Sequence, residues 1–175
     1  MPVICPCRLP DHALLYRYAK EGAYTDCYTA RIPKSVSQGD FVTAFYTTWL
    51  FNIERLILRW AVSRPSTDAE ARQLAIGERR SFAAWTVEDR SESQLLLCDL
   101  YGRTRSWLMT VPQEGGTQLY FGSAVLPVRN STATQPTMGF QFKVLLGFHR
   151  LYSRGLLRAA TKRLMSMASA HPCDN

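Results

Sequence analysis

The sequence predicts an α+β fold in which helices pack on one face of a curved antiparallel sheet. Three observations point there. Residues 80 to 128 divide into four apolar runs of strand length, RSFAAWTVEDR, QLLLCDLY, RTRSWLMTVP and TQLYFGSAVLPV, separated by SES, GR and QEGG, and links this short join only antiparallel neighbours. Between Phe41 and Val62 the apolar residues recur at steps of three and four, the signature of a helix with one buried side. The stretch from residue 139 to 165, GFQFKVLLGFHRLYSRGLLRAATKRLM, alternates apolar and basic positions in the manner of a long amphipathic helix.

Taken in order, residues 1–22 read as an arm. Pro2, Pro6 and Pro10 break it, and DHALLYRYAKEG suits a short helix capped by Asp11 and stopped by Gly22. AYTDCYTARIP is rich in aromatic and β-branched residues and ends at Pro33, as a first strand would. Ser37, three residues before Asp40, resembles half of a capping box. The helix that follows places Val42, Phe45, Trp49, Ile53, Leu56 and Trp60 on one side, with a break expected near Thr47 and Thr48. A second helix begins at Ser66 or Thr67, sets Asp68 and Glu70 at its positive end and stops at Gly77. After the meander, VRNSTATQPTMG forms a polar loop. Wound at 100° per residue, the last helix gathers Val144, Phe148, Leu151, Tyr152, Gly155 and Ala159 on one side and Lys143, Arg150, Arg154 and Arg158 on the other. Gly155 in the apolar stripe would let that helix approach the sheet closely. The expected organisation is an arm (1–22), one domain (23–168) and a tail (169–175).

Composition narrows the function classes. A chain of 175 residues with 46% apolar and 20% charged residues is ordinary for one folded domain. The start of the chain lacks the basic-then-apolar pattern of a secretory signal, and the most apolar segment, AFYTTWLFNIERLILRWAV, carries Glu54, Arg55 and Arg59, so a cytoplasmic protein is expected. Five cysteines without framework spacing fit a reducing compartment. Cys5 and Cys7 could form a metal cluster only with His171 and Cys173 from the other terminus, and the paired spacing of zinc sites is absent, so free thiols are expected. The net charge of +7 owes much to the last helix, where Lys143, Arg150, Arg154, Arg158, Lys162 and Arg163 face only Asp174 in the tail. A solvated helix face explains these charges. Nucleic acid is not expected, since no aromatic residues stand exposed among the charges of the basic side and no reading motif is present. Peripheral membrane contact, aided by Leu146 and Leu157, is a weaker alternative.

No P-loop, dinucleotide glycine motif, HExxH or GxSxG is present, so no cofactor is expected and no catalytic residue is marked. Of His12, His149 and His171, only His149 lies away from the termini, and it lacks an evident orienting partner. The hairpin CDLYGRTRSWLM says more. With a turn at Gly102 and Arg103, Leu96, Cys98 and Leu100 share a face with Arg105, Trp107 and Met109, and Asp99 stands opposite Ser106 on the other face. The mostly apolar set should face the helices. Arg105 is then a lone interior charge that needs a carboxylate, a carbonyl or an anionic ligand, unless it reaches past the sheet edge to water.

AYTDCYTARIP ahead of two helices, GRTRSWLM in the meander and GFHRLYSRGLLRAA in the last helix resemble a bacterial family of uncharacterised proteins related to the START and polyketide-cyclase group (SRPBCC). The resemblance spans residues 23 to 165. It implies a helix-grip fold, a curved antiparallel sheet wrapped around a long C-terminal helix, enclosing a cavity for an apolar or amphipathic small molecule. Five strands are counted here, fewer than the wider group carries. The expected lining is Trp85, Trp107, Met109, Phe121, Phe148 and Tyr152, with Arg105 as an anchor; plain core packing is the competing role of each aromatic. Two alternatives accompany this expectation: a cyclase- or hydrolase-like enzyme using Arg105, Asp99 or His149, and a homodimer or adaptor pairing through Leu95, Leu97 and Leu108 on an outer sheet face.

Overall fold

The computed structural model describes residues 2–53, 66–126 and 140–167, with side chains of the last helix from residue 151. The strands are β1 (Cys5–Pro6), β2 (Tyr24–Ile32), β3 (Ser81–Phe82), β4 (Trp85–Arg90), β5 (Gln94–Asp99), β6 (Thr104–Gln113) and β7 (Gly116–Val125). They form one sheet in the order β1-β2-β7-β6-β5-β4-β3, antiparallel throughout. The helices are α1 (Tyr16–Lys20), α2 (Gln38–Tyr46), α3 (Asp68–Ile76) and α4 (Phe140–Met167). A curved antiparallel sheet gripping a long C-terminal helix is an α+β, helix-grip-like arrangement. Two short strands raise the expected five to seven. One comes from the arm, and the other arises because RSFAAWTVEDR folds back on itself at Ala83 (φ 52°), pairing Phe82 with Trp85.

The turns follow local chemistry. Gly102 and Gly115 take positive φ in the β5–β6 and β6–β7 connections. Gly116 answers a different demand: a Cβ there would lie 2.1 Å from the carbonyl oxygen of Ile32, so only glycine lets β7 start beside the end of β2. The β5–β6 register is set two residues from the expected one, since Cys98 rather than Leu100 faces Arg105 and Leu97 rather than Asp99 faces Ser106. A shift of two preserves which residues share a face.

α2 begins at Ser37, whose hydroxyl accepts from Asp40 N at 3.0 Å. It ends at Thr47, and the Thr48 hydroxyl accepts from Phe51 N at 3.2 Å as the chain turns helical again from residue 49 to 53. The break falls where it was expected, yet it changes the phase: Phe51 is buried while Trp49 and Ile53 are exposed, contrary to the single stripe read from the sequence. Leu56 and Trp60 lie outside the described residues. α3 carries the full capping box, Thr67 with Glu70, and ends at Gly77 in the left-handed conformation (φ 88°).

α2, α3 and α4 cover one face of the sheet, enclosing Tyr28, Ala30, Ile32, Leu95, Leu97, Leu108, Leu119 and Phe121. On α4 the buried residues are Ser153, Leu156, Leu157, Ala160, Thr161 and Leu164, while Arg154, Arg158 and Lys162 are exposed. The buried stripe is therefore rotated from the predicted one. Leu151 points outward, and Leu157, read as flanking the basic side, is fully buried. A Cβ on Gly155 would meet Leu50 at 3.1 Å, so this glycine admits the helical stretch before residue 54 rather than the sheet.

The other face is covered as well. The arm lays Leu9, Ala13, Leu15 and Tyr18 over Cys27, Leu96, Trp107, Met109 and Ala124, forming a second apolar cluster. Trp107 donates through Nε1 to Gln94 Oε1 at 2.9 Å, and the same oxygen accepts from Leu14 N at 2.9 Å. Trp107, Met109 and Arg105 thus lie under the arm, correcting the expectation that this set faces the helices. Leu95, Leu97 and Leu108, expected on an outer dimerisation face, are buried beneath the helices. The cause is that two apolar sets compete for the helical side, and the arm provides cover for the loser.

Candidate functional site

Strand register sorts the helix-covered face into rows. The outermost contains Tyr24, Val125 and Thr104, with Asp99 and Trp85 continuing it across β5 and β4. Next come Asp26, Ser123, Ser106, Leu97 and Val87, and then Tyr28, Phe121, Leu108 and Leu95. Polarity falls from row to row. The second row is hydrogen-bonded: Asp26 Oδ1 accepts from Ser123 N at 3.1 Å and from its hydroxyl at 2.5 Å, and the Tyr46 hydroxyl meets Ser106 Oγ at 2.9 Å. The third row is closed by rings, Phe45 lying 4.7 Å from Phe121.

Several buried polar atoms on this side, Gln38 Oε1 and Arg163 Nε included, lack a hydrogen-bond partner among the described residues. Trp85 Nε1 on β4 and Ser153 Oγ on α4 are among them. Burying such a group without a partner costs about 1–3 kcal/mol, so each marks a place where a ligand or water atom would be stabilised. Hydroxyls, a carboxylate and an indole N–H can recognise a polar group, while Phe121 and Tyr152 flank them with apolar surface.

Across the sheet, Arg105 has found its carboxylate. Its Nε donates to Glu88 Oε2 at 2.6 Å and to the Tyr18 hydroxyl at 3.0 Å, its Nη1 donates to Gly102 O at 2.8 Å, and the guanidinium lies over the Tyr18 ring. Tyr18 donates in turn to Glu88 Oε1. A bulge between Val87 and Asp89 turns Glu88 and Asp89 both toward the arm, Asp89 pairing with Arg17. Burial and the neighbouring Glu88 push the Tyr18 phenol above its ordinary pKa, against the opposing pull of Arg105. Arg105 is thereby a fastener between arm and sheet.

Of the expected lining, Trp85, Phe121 and Tyr152 lie on the helix-covered side, Arg105, Trp107 and Met109 lie under the arm, and the Phe148 side chain falls outside the described residues. Asp99 Oδ1 accepts from Arg103 N and Thr104 N, at 2.7 and 3.0 Å, and so braces its own turn. It does not converge with Arg105, and the His149 side chain is likewise outside the described residues. Asp26, Ser106, Ser123 and Tyr46 were not singled out in the sequence. Their signal was alternation: Tyr24, Asp26 and Tyr28 share a face of the first strand. An open cleft of about 300 Å³ near Gly77 is lined by Arg79, Arg80 and Arg90 together with Val87, Glu88 and Asp89. Two of these arginines have structural duties, Arg79 on Glu70 and Arg90 on the carbonyls of Leu74 and Ala75 that end α3.

No protein-family model matches the chain, and no curated protein does. Among solved structures, the crystal structure of CalU16 from Micromonospora echinospora is similar over 97% of this chain and 96% of that one, at 14% identity and a TM-score of 0.33. Among the described residues, no helix is long and apolar enough to cross a membrane.

Proposed function

We propose that the protein binds an amphipathic small molecule between the sheet and α4, as the resemblance to the START and polyketide-cyclase group implies. The polar end of the ligand meets the two outer rows, around Asp26, Ser106, Ser123 and Trp85, and its apolar part rests against Phe121 and Tyr152. Arg105, Trp107 and Met109 are not part of this site. The observation that carries the reading is the buried indole N–H of Trp85 on the helix-covered face, which has no hydrogen-bond partner among the described residues. A native side chain that leaves a donor unpaired is better explained by a bound acceptor than by packing alone, because phenylalanine would fill much the same space without the cost.

The test is a titration with a fluorophore-labelled medium-chain fatty acid, joined to native mass spectrometry of the protein as purified. Saturable one-to-one binding is expected, weakened about tenfold by Trp85→Phe, the worth of one buried hydrogen bond. Trp107→Phe, on the far side of the sheet, serves as the control and leaves affinity unchanged. Absence of both a co-purifying ligand and saturable probe binding would remove the proposal.

A further inference from the structure

Cys7 and Cys27 meet where the arm joins the sheet. β1 pairs with β2 through Cys5–Thr29 and Pro6–Tyr28, and the same register carried one step further sets Cys7 opposite Cys27, with Cys7 N donating to Cys27 O at 3.0 Å. The two thiols lie 3.1 Å apart. Residues directly opposite in an antiparallel pair have Cα atoms about 4.5–5.5 Å apart, within the span a disulfide bridges without moving the backbone. Cys7 is partly exposed and Cys27 is buried, so a reagent in solution reaches Cys7 first. Cys5, two residues earlier, is exposed and serves as a built-in comparison.

We propose that Cys7 and Cys27 form a thiol–disulfide exchange site that latches the arm onto the sheet. The oxidant is a small-molecule disulfide. The Cys7 thiolate attacks one of its sulfurs, a mixed disulfide forms, and the first small thiolate leaves and takes up a proton. Cys27 then gives its proton to solvent and attacks the Cys7 sulfur; the protein disulfide forms as the second small thiolate leaves and is protonated. Two protein thiols lose two electrons, and one small disulfide becomes two thiols.

The electrostatics support this order. The thiol–thiol contact with Cys27 lowers the Cys7 pKa despite partial burial, favouring Cys7 as the first nucleophile. That same contact is the largest cause raising Cys27, followed by burial. Once Cys7 is held in a mixed disulfide it no longer carries the charge that keeps Cys27 protonated, and the second attack is released. The latch would fix the start of the cover over Trp107 and Met109.

The experiment equilibrates the full chain in a series of reduced and oxidised glutathione mixtures, traps free thiols by alkylation and maps the peptides by mass spectrometry. A Cys7–Cys27 link is expected, together with a rise in Tm of roughly 5–10 °C. Cys5→Ser keeps both results. Cys27→Ser stops at glutathione on Cys7. Should that variant fail to fold, Cys7→Ser, altered at the more exposed partner, must leave Cys27 as a free thiol in oxidised glutathione. A Cys5–Cys7 link, or recovery of Cys7 and Cys27 as free thiols while Cys5 is glutathionylated, overturns the proposal.

Discussion

Arg105, Glu88 and Tyr18 show what a charge inside a sheet protein requires. Arg105 is about nine-tenths buried, and its Nε and Nη1 donate to a carboxylate, a phenol and a carbonyl. The sequence exposed the need for such a partner but not its identity, because Glu88 reaches Arg105 only through the bulge in β4. The pH dependence has a definite sign. With the Tyr18 pKa raised on folding, chiefly by burial, its contribution is complete below the unfolded value of about 10. It is lost as pH rises from there through the folded value, because the unfolded chain gives up the proton first. Tm measured from pH 8 to 11 should therefore fall at the alkaline end, and less steeply in Tyr18→Phe. Tyr120, also raised by burial, keeps a residual decline in the variant. At neutral pH the variant should be less stable by about 1 kcal/mol for its lost hydrogen bonds. An alkaline slope identical to that of the parent would show that Tyr18 does not carry the linkage.

At the scale of elements, the caps of α2 and α3 were legible because their causes are local, whereas Asp11 does not cap the arm helix, which starts at Tyr16 behind Leu15 with no side-chain cap. Ser37 and Gly77 perform the role their position in the sequence suggested, and of Ser66 and Thr67 it is Thr67 that caps, with Glu70 completing a box. The phase change after Thr48 was not legible, since a two-residue break rotates the next helical stretch by an amount set by what it packs against. Gly115 and Gly116 separate a local cause from a tertiary one. Gly115 needs its positive φ but has open space around it, whereas Gly116 is hemmed in by the backbone of Ile32 and Pro33. Replacing Gly115 with alanine should cost about 1 kcal/mol from backbone strain alone. Gly116→Ala should cost more, about 1–3 kcal/mol, because two backbone segments must move apart. Urea unfolding of both variants decides it, and equal midpoints would contradict the close approach of β2 and β7.

For the molecule as a whole, the arm changes the balance of the sheet. Without it, Leu96, Trp107, Met109 and Ala124 would form a water-facing apolar patch; with it, both faces are closed. Gly122 contributes, since a Cβ there would press to 3.0 Å on both Leu15 of the arm and Trp107. Removing residues 2–22 should therefore expose this cluster and drive association. Gel filtration should show oligomers or loss of soluble protein, with tryptophan emission shifted to the red. A monodisperse monomer with unchanged emission would mean that the arm is not the cover described.

The sequence by itself determined the α+β class, the antiparallel meander, the caps of α2 and α3 and the sets of residues that share each face of the hairpin, because these depend on periodicity and on contacts a few residues apart. Tertiary structure decided which face the helices occupy and which the arm takes, and so placed Arg105, Trp107 and Met109 under the arm and Asp26, Ser106 and Ser123 on the helix-covered face. The reason is physical: alternation along a strand divides its residues into two sets, but it carries no sign, and only packing against distant parts of the chain assigns one set to each side.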